Sequence, residues 1–185
     1  MSSQKPAISY PRFFNPERIG QSLKEVSSDF LQTEAQDIIG RWFHSADEID
    51  LFIWTDEKKK IVKQQLTFFG QVVEWNIIEG TKTGVVIEEE ERVAEGGTHV
   101  KASEMIRFDD RPQVQPLGLA MDVIQNTAAL SFDEQQELIG NFFRGQRFRK
   151  QDDEQFVAKY GRHLTSAGTK LTLWQRFLNF LVRIF

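Results

Sequence analysis

The sequence contains no cysteine, and this absence removes several kinds of chemistry. Disulfides, thiolate metal sites and thiol catalysis are all excluded. Histidine is scarce as well. His44, His99 and His163 are scattered, and none has a second histidine at helical metal-ligand spacing, so we predict no metal site. Tyrosine occurs twice against 16 phenylalanines and four tryptophans, which suits a core or a buried contact surface.

Recognisable catalytic and membrane-spanning segments are also missing. No nucleophile elbow, Walker loop or Gly-x-Gly-x-x-Gly run occurs, so we predict no catalytic residue and no cofactor. No apolar run reaches the ~20 residues of a membrane-spanning helix. The polar residues 1–6 predict neither a secretory nor a myristoylation signal. We therefore expect a soluble, cytoplasmic protein, with peripheral membrane contact left open.

Charge is divided unevenly along the 185 residues. Residues 1–140 hold 14 Lys and Arg against 24 Asp and Glu, a net of −10, whereas residues 141–185 hold nine against three, a net of +6. The length and composition fit a single domain spanning 1–185. The asymmetry indicates a basic tail that either meets an anionic partner or docks on its own acidic body.

The N-terminal part is expected to be helical after an irregular arm over 1–14. Asn15 can cap a helix, Pro16 suits its first turn and Glu17 favours its positive end. A second helix is predicted over Phe30–Phe43, so that helices occupy 15–45. Residues 34–43 resemble residues 134–143 at five identical positions. This similarity is either coincidence between two amphipathic helices or the mark of two helices that cross at Gly40 and Gly140.

A β-meander of about four strands is predicted over 49–108, because β-branched and aromatic runs alternate there with turn formers. Gly70 is expected to interrupt one long strand that continues to Ile78. Alternation places Leu51 and Ile53 on one face and Phe52 and Trp54 on the other. A symmetric turn over 79–84 would bring Trp75 near Ile87 and Ile77 near Val85.

Helices are expected again over 117–185. Leu117–Ala129 forms one, and Ser131 with Glu134 forms a capping box that starts another. Two more are predicted over 152–164 and 171–184. The fold class is therefore α+β: a central antiparallel meander flanked by N-terminal helices and a helical C-terminal third.

The stretch from Phe142 to Lys150 places four cations among three aromatic residues. It can contact an anionic surface, neutralise phosphates and stack on bases, or simply end a helix with Gly145 as its C-cap. The helix-capping interpretation is favoured over an anionic contact, and nucleic-acid binding is the least favoured because the protein is acidic overall.

The last predicted helix, 171–185, has a broad apolar arc and no acidic residue. Its 15 residues rise about 22 Å, too short to span a bilayer but suited to its interface. It can close the core, fill a groove in a partner or lie on a membrane surface. The candidate interaction surface combines residues from both basic stretches: Arg144, Arg147, Phe148, Arg149, Lys150, Trp174, Arg176, Phe177, Phe180 and Arg183.

These features favour a non-enzymatic interaction or regulatory protein whose basic, amphipathic C-terminal segment contacts an anionic protein partner or a membrane surface. Self-association is left open. The alternative is a small-ligand-binding protein or enzyme with a pocket between the meander and the helices, using His99, Arg107 and Asp109. A third possibility is nucleic-acid contact through Arg144–Lys150.

Overall fold

A computed structural model describes residues 14–26, 38–47, 49–88 and 104–144, together with the helical positions Ala158, Gly161 and Leu164. Within these residues the chain forms a mixed α+β fold, as the sequence predicts. Its helices are α1 Pro16–Ser22, α2 Val114–Gln125 and α3 Phe132–Phe142. Its strands are β1 Lys24–Val26, β2 Ile39–Ser45, β3 Ile49–Thr55, β4 Ile61–Phe68, β5 Gln71–Asn76, β6 Gly80–Glu88 and β7 Glu104–Phe108.

The strands form one antiparallel sheet in chain order from β1 to β7. The prediction of about four strands was therefore too low. One reason lies at Gly70, which reverses the chain rather than interrupting a single strand. Phe69 and Gly70 both have positive φ, 48° and 72°, the conformation that closes a tight two-residue hairpin. The run from Ile61 to Ile78 is thus two antiparallel strands.

The hairpin between β5 and β6 is also tighter than the sequence suggested. Asn76 pairs with Gly80, and Trp75 pairs with Thr81, so the predicted neighbours Ile87 and Val85 were wrong. The Asn76 side chain explains the shift, because its Oδ1 accepts hydrogen bonds from the backbone N–H groups of Ile78 and Glu79. This Asx-type turn ends at Gly80, whose φ is +79°.

The predicted helix over Phe30–Phe43 was wrong at its C-terminal end, because residues 39–43 belong to β2. That strand pairs with β1 on one side and β3 on the other. Two ladders of backbone hydrogen bonds thus outweigh the helical spacing of its apolar residues, an override of local pattern by tertiary pairing. Gly40 lies in a strand, so the proposed crossing of two helices at Gly40 and Gly140 is wrong as well.

Two of the helix starts read from the sequence, those of α1 and α3, are confirmed. Asn15 Oδ1 accepts from the Arg18 backbone N–H at 3.1 Å, with Pro16 in the first turn of α1. Ser131 and Glu134 form both bonds of the capping box of α3. The predicted helix Leu117–Ala129 is displaced to Val114–Gln125. The other predictions for 1–13, 27–37, 89–103 and the two C-terminal helices lie outside the described residues, apart from the three isolated helical positions.

The two faces of the sheet differ in chemistry, and the register assigns residues to each. One face, called the helix face below, carries Phe43, Leu51, Leu66, Val73 and other buried apolar side chains. It meets the helices: Ser22 of α1 hydrogen-bonds Ser45, and Gln64 Nε2 donates to the Leu138 carbonyl of α3 at 2.8 Å. The predicted separation of Leu51 and Ile53 from Phe52 and Trp54 is confirmed.

Candidate functional site

The opposite side of the sheet, called the polar face below, carries polar and aromatic side chains in three rows that cross the strands. One row is Trp42, Phe52, Gln65, Glu74 and Lys82. The flanking rows contain Trp54, Lys63 and Asn76 on one side and His44, Asp50 and Thr67 on the other. Neighbouring strands lie about 4.8 Å apart, so side chains within a row are in contact range.

Three aromatic rings form a ladder at the β2–β3 end of the polar face. Trp42 and Phe52 stack with their centroids 6.0 Å apart and their planes 9° from parallel. Phe52 and Trp54 stack at 5.7 Å and 24°. Offset stacking of this kind adds about 0.5–1.5 kcal/mol per pair beyond the area buried. The ladder makes a flat apolar wall beside the charged groups of β4 and β5.

A buried ion pair lies next to this wall. Lys63 Nζ is 3.0 Å from Glu74 Oε2, and the two side chains are 2% and 0% exposed. The ammonium also lies over the Trp54 ring, 5.2 Å from its centroid, and Asn76 Nδ2 donates to Glu74 Oε1 at 3.0 Å. The approach of Lys63 to Oε2 has ion-pair distance but not hydrogen-bond angles. The pair therefore depends on charge attraction in a desolvated setting.

A second buried carboxylate belongs to Asp50 of β3, which lies in the row with His44 and Thr67. Asp50 Oδ1 accepts from Trp42 Nε1 at 2.7 Å and from His44 Nδ1 at 2.8 Å. Its other oxygen, Oδ2, is buried and has no hydrogen-bond partner among the described residues. A buried polar atom without a partner costs about 1–3 kcal/mol, so a hydrogen-bond donor that reached Asp50 Oδ2 would be stabilising.

The far side of the polar face is a chain of charges and amides. Asn76 Nδ2 donates to Glu79 Oε2 at 3.0 Å, and Lys82 Nζ lies 2.6 Å from Glu79 Oε1. The Lys82 ammonium also lies over the Phe108 ring at 5.4 Å. Polar contacts thus extend from β5 to β7, and both carboxylate oxygens of Glu79 are engaged.

A charged junction on the helix face joins α3 to the sheet. Arg41 of β2 is bound by Glu25 of β1, through Nε–Oε1 at 2.6 Å and Nη2–Oε2 at 2.9 Å, and by Glu134 of α3 through Nη1. The bond to Glu25 raises the pKa of Arg41, partial burial opposes this, and Glu134 adds to the rise. Burial acts to raise the pKa of Glu134, but hydrogen bonds from Ser131 and Arg41 outweigh it, so the net pKa lies below its ordinary value.

Of the predicted interaction surface, the structure describes only Arg144. It follows α3, and its guanidinium Nη1 donates to Asn141 Oδ1 at 2.9 Å. Its carbonyl accepts from Trp75 Nε1 at 3.1 Å. The other nine residues of that surface lie outside the described part of the chain, so their placement stays a prediction.

Of the residues named for the alternative pocket, the structure describes Arg107 and Asp109. Asp109 Oδ2 accepts from Thr83 Oγ1 at 2.7 Å, and Thr83 Oγ1 accepts from the Gln113 N–H at 2.9 Å, so both contacts secure the start of α2. Arg107 is exposed on β7. His99 lies outside the described residues.

Sequence reasoning missed the polar face, although a signal for it exists. Lys63, Gln65 and Thr67 alternate with Leu66 and Phe68, and Glu74 and Asn76 alternate with Val73 and Trp75. This period of two marks a strand with one apolar and one polar face. The polar side of a strand is ordinarily assigned to solvent. The burial of Lys63 and Glu74 in the structure shows that this side is not exposed there.

The described residues contain no helix that is long and apolar enough to cross a bilayer. In the same part of the chain, no group of three or more His, Asp or Glu side chains could hold a metal ion.

Comparison with protein-family models gave no match, and comparisons with curated proteins and with solved structures gave none either.

Proposed function

We propose that this protein is a non-enzymatic interaction protein whose basic C-terminal segment, within residues 141–185, contacts an anionic protein partner. The observation that carries the proposal is the way α3 ends. Thr81 Oγ1 donates to the Phe142 carbonyl at 2.9 Å, and Trp75 Nε1 donates to the Arg144 carbonyl. The sheet thus fixes the point at which the basic stretch begins.

Beyond the buried Phe142, the stretch reaches the surface at Phe143 and Arg144. Phe143 is 72% exposed, and Arg144 is partly exposed. Exposed phenylalanine next to arginine is typical of interface residues, which combine apolar anchoring with charge recognition. Residues 1–140 carry a net negative charge, so they repel anionic partners. An anionic partner is therefore expected to bind at the basic residues that follow them.

The test uses the full chain with charge reversals and two anionic probes. Binding is measured to polyglutamate and to vesicles of phosphatidylserine with phosphatidylcholine, at low and moderate salt. Arg147→Glu with Arg149→Glu, and separately Arg176→Glu with Arg183→Glu, should abolish salt-sensitive binding. Lys58→Glu with Lys60→Glu is the matched control, because it changes net charge equally at an exposed turn.

The outcomes separate the partner classes. Binding to polyglutamate but not to vesicles supports the protein partner. Binding to vesicles alone moves the assignment to a membrane surface. If the protein binds neither probe, or if the control variant loses as much binding as the other variants, an electrostatic contact through the basic C-terminal segment is contradicted.

A second candidate function is small-ligand binding at the polar face, supported by Asp50 Oδ2 beside the aromatic ladder, which has no hydrogen-bond partner in the part of the chain that the structure describes. A ligand with a hydrogen-bond donor could bind this oxygen while stacking on Trp42 or Phe52. Native mass spectrometry of the freshly purified protein tests this. A small-molecule adduct that is lost in Asp50→Asn supports it, and a single unliganded mass in the unmodified protein contradicts it.

A further inference from the structure

Asp50 differs from two other carboxylates of the polar face in the charges around it. Glu74 is paired with Lys63. Glu79 is paired with Lys82. Among the described residues, no lysine or arginine side chain pairs with Asp50, although its own side chain is only 2% exposed. Buried carboxylates are ordinarily paired with a cation, so the surroundings of Asp50 leave a place for one.

The two donors that do reach Asp50 converge on the same oxygen. Trp42 Nε1 and His44 Nδ1 both bind Oδ1, at 2.7 and 2.8 Å. The second oxygen, Oδ2, is buried and has no hydrogen-bond partner among residues 14–26, 38–47, 49–88 and 104–144. An almost fully buried carboxylate oxygen without a donor indicates a ligand that supplies one.

Aromatic rings next to Asp50 narrow the chemistry of that ligand. Phe52 follows two residues later on the same face of β3, about 7 Å along the strand, and Trp42 stacks on it. The faces of such rings attract cations, and the same ladder already holds one, because the Lys63 ammonium lies over the Trp54 ring at 5.2 Å. A carboxylate beside aromatic faces therefore favours an organic cation.

We infer that Asp50 and Phe52 form a binding site for a primary ammonium ion carried on an aromatic group. The ammonium donates to Oδ2 and supplies the missing positive charge, while the aromatic group stacks on the half-exposed Phe52. Their spacing along β3 requires a short linker between ring and nitrogen. The half-exposed His44 moves aside on entry, since Trp42 is buried. The inference rests on the second candidate function, because it names the class of ligand that the polar face binds.

The experiment titrates the full chain with phenethylammonium and follows the backbone amide and indole N–H signals by NMR. Saturable shifts are expected at Asp50, at Phe52 and at the indole of Trp42. Two probes of similar shape separate charge from apolar contact: phenethyl alcohol is neutral and hydrocinnamate is anionic. Phenethyl alcohol should bind about tenfold more weakly, the difference between a charged and a neutral hydrogen bond, and hydrocinnamate should not bind.

Three variants assign the binding to this site. Asp50→Asn removes the charge with little change in shape and should weaken phenethylammonium binding about tenfold. Phe52→Leu changes a half-exposed side chain and should weaken it several-fold. Asp133→Asn is the matched control, because it makes the same change at an exposed position of α3, and it should leave the affinity unchanged. Amide signals from β4 and β5 verify that each variant is folded.

The inference is overturned if phenethylammonium gives no saturable shift at Asp50 and Phe52, or if phenethyl alcohol binds equally well. Full affinity in Asp50→Asn or in Phe52→Leu also overturns it, as does an equal loss in Asp133→Asn. A native adduct that depends on Asp50 but is not an amine overturns the inference and leaves the second candidate function standing. Binding to polyglutamate or vesicles concerns residues 141–185, so its failure is a separate result.

Discussion

Lys63 and Glu74 show how strongly individual residues on the polar face depend on one another. Each charge is almost fully buried, and each would be costly alone, since desolvation in a protein interior amounts to several kcal/mol per ion. Trp54 and Asn76 supply further contacts of the pair. Burying this face of the sheet therefore requires the two charges to be paired. The pair does not by itself add net stability.

Lys63→Met is expected to lower the free energy of unfolding by about 3–5 kcal/mol, because it leaves the Glu74 carboxylate buried without its cation. Combining it with Glu74→Leu should recover most of this loss. Urea denaturation of the two single variants and the double variant measures the coupling, with the exposed Lys60→Met as the control. Losses that simply add in the double variant would show that the two charges do not compensate each other.

Two glycines in helices differ sharply in the space above them. A Cβ on Gly20 of α1 would lie 2.5 Å from the Val123 carbonyl oxygen and 2.6 Å from the Asn126 carbonyl carbon of α2, both backbone atoms that cannot move aside cheaply. Gly118 of α2 has nothing within 4 Å. The absence of a side chain at Gly20 thus sets how closely α1 approaches α2.

Gly20→Ala should destabilise the protein by about 1–3 kcal/mol through overpacking. Gly118→Ala, in contrast, should stabilise it by about 0.5–1 kcal/mol, since alanine favours helix and meets no obstacle. Thermal unfolding of the two variants beside the unmodified protein checks the opposite signs. A stable Gly20→Ala protein would mean that α1 and α2 can separate without cost.

At the scale of elements, α3 is joined to the sheet by a charged contact at its start and by backbone contacts at its end. Glu134 closes the capping box with Ser131 and also binds Arg41, which in turn binds Glu25 on β1. One carboxylate therefore links helix initiation to the pairing of β1 and β2. Its lowered pKa in the folded protein makes this link dependent on pH.

A folded-state pKa below the unfolded value of about 4.5 means that the contribution of Glu134 is complete above pH 4.5. It is lost as the pH falls from there through the folded pKa. Glu134→Gln should cost about 1 kcal/mol at pH 7, the scale of a lost capping contact, and should show a smaller decline in stability between pH 5 and about pH 3. Urea titrations across this range measure both effects.

Glu137→Gln is the control for that experiment, since it lies on the same helix and takes no part in the capping box. An identical pH dependence for the unmodified protein and Glu134→Gln would show that the carboxylate of Glu134 does not carry the acid sensitivity of α3.

At the scale of the whole molecule, stability should be graded across the sheet. Every residue of β4 and β5 is buried, and both strands are paired on each side. The three-residue β1 is an edge strand of exposed and half-buried residues. Opening free energies follow such differences in burial and pairing.

Native-state hydrogen exchange should therefore be slowest for the amides of β4 and β5 and fastest in β1, with a difference of several kcal/mol in opening free energy. Measurement by NMR or by mass spectrometry of peptides resolves the strands. Uniform protection across all strands would indicate that the sheet opens only by global unfolding.

Local chemistry in the sequence was sufficient to predict the starts of α1 and α3 and the strand character of the described residues between 49 and 108. Asn15 with Pro16 and Ser131 with Glu134 act through bonds within a few residues, so their outcome depends little on the rest of the chain. The alternation of Leu51, Phe52, Ile53 and Trp54 likewise fixes which side chains share a face, because a strand has a period of two.

Tertiary structure decided what depends on partners distant in sequence. Residues 39–43 became a strand because β1 and β3 offer hydrogen bonds on both sides, and no pattern within the segment reports those neighbours. Lys63 and Glu74 are buried together because β4 and β5 pair across the turn at Gly70 and their polar face is shielded from solvent. Alternation alone would have placed both charges in solvent. The sequence by itself thus determined the starts of α1 and α3 and the faces of β3, because these depend on neighbours within a few residues. The pairing of strands determined that residues 39–43 form a strand, how many strands there are and which polar residues form a site.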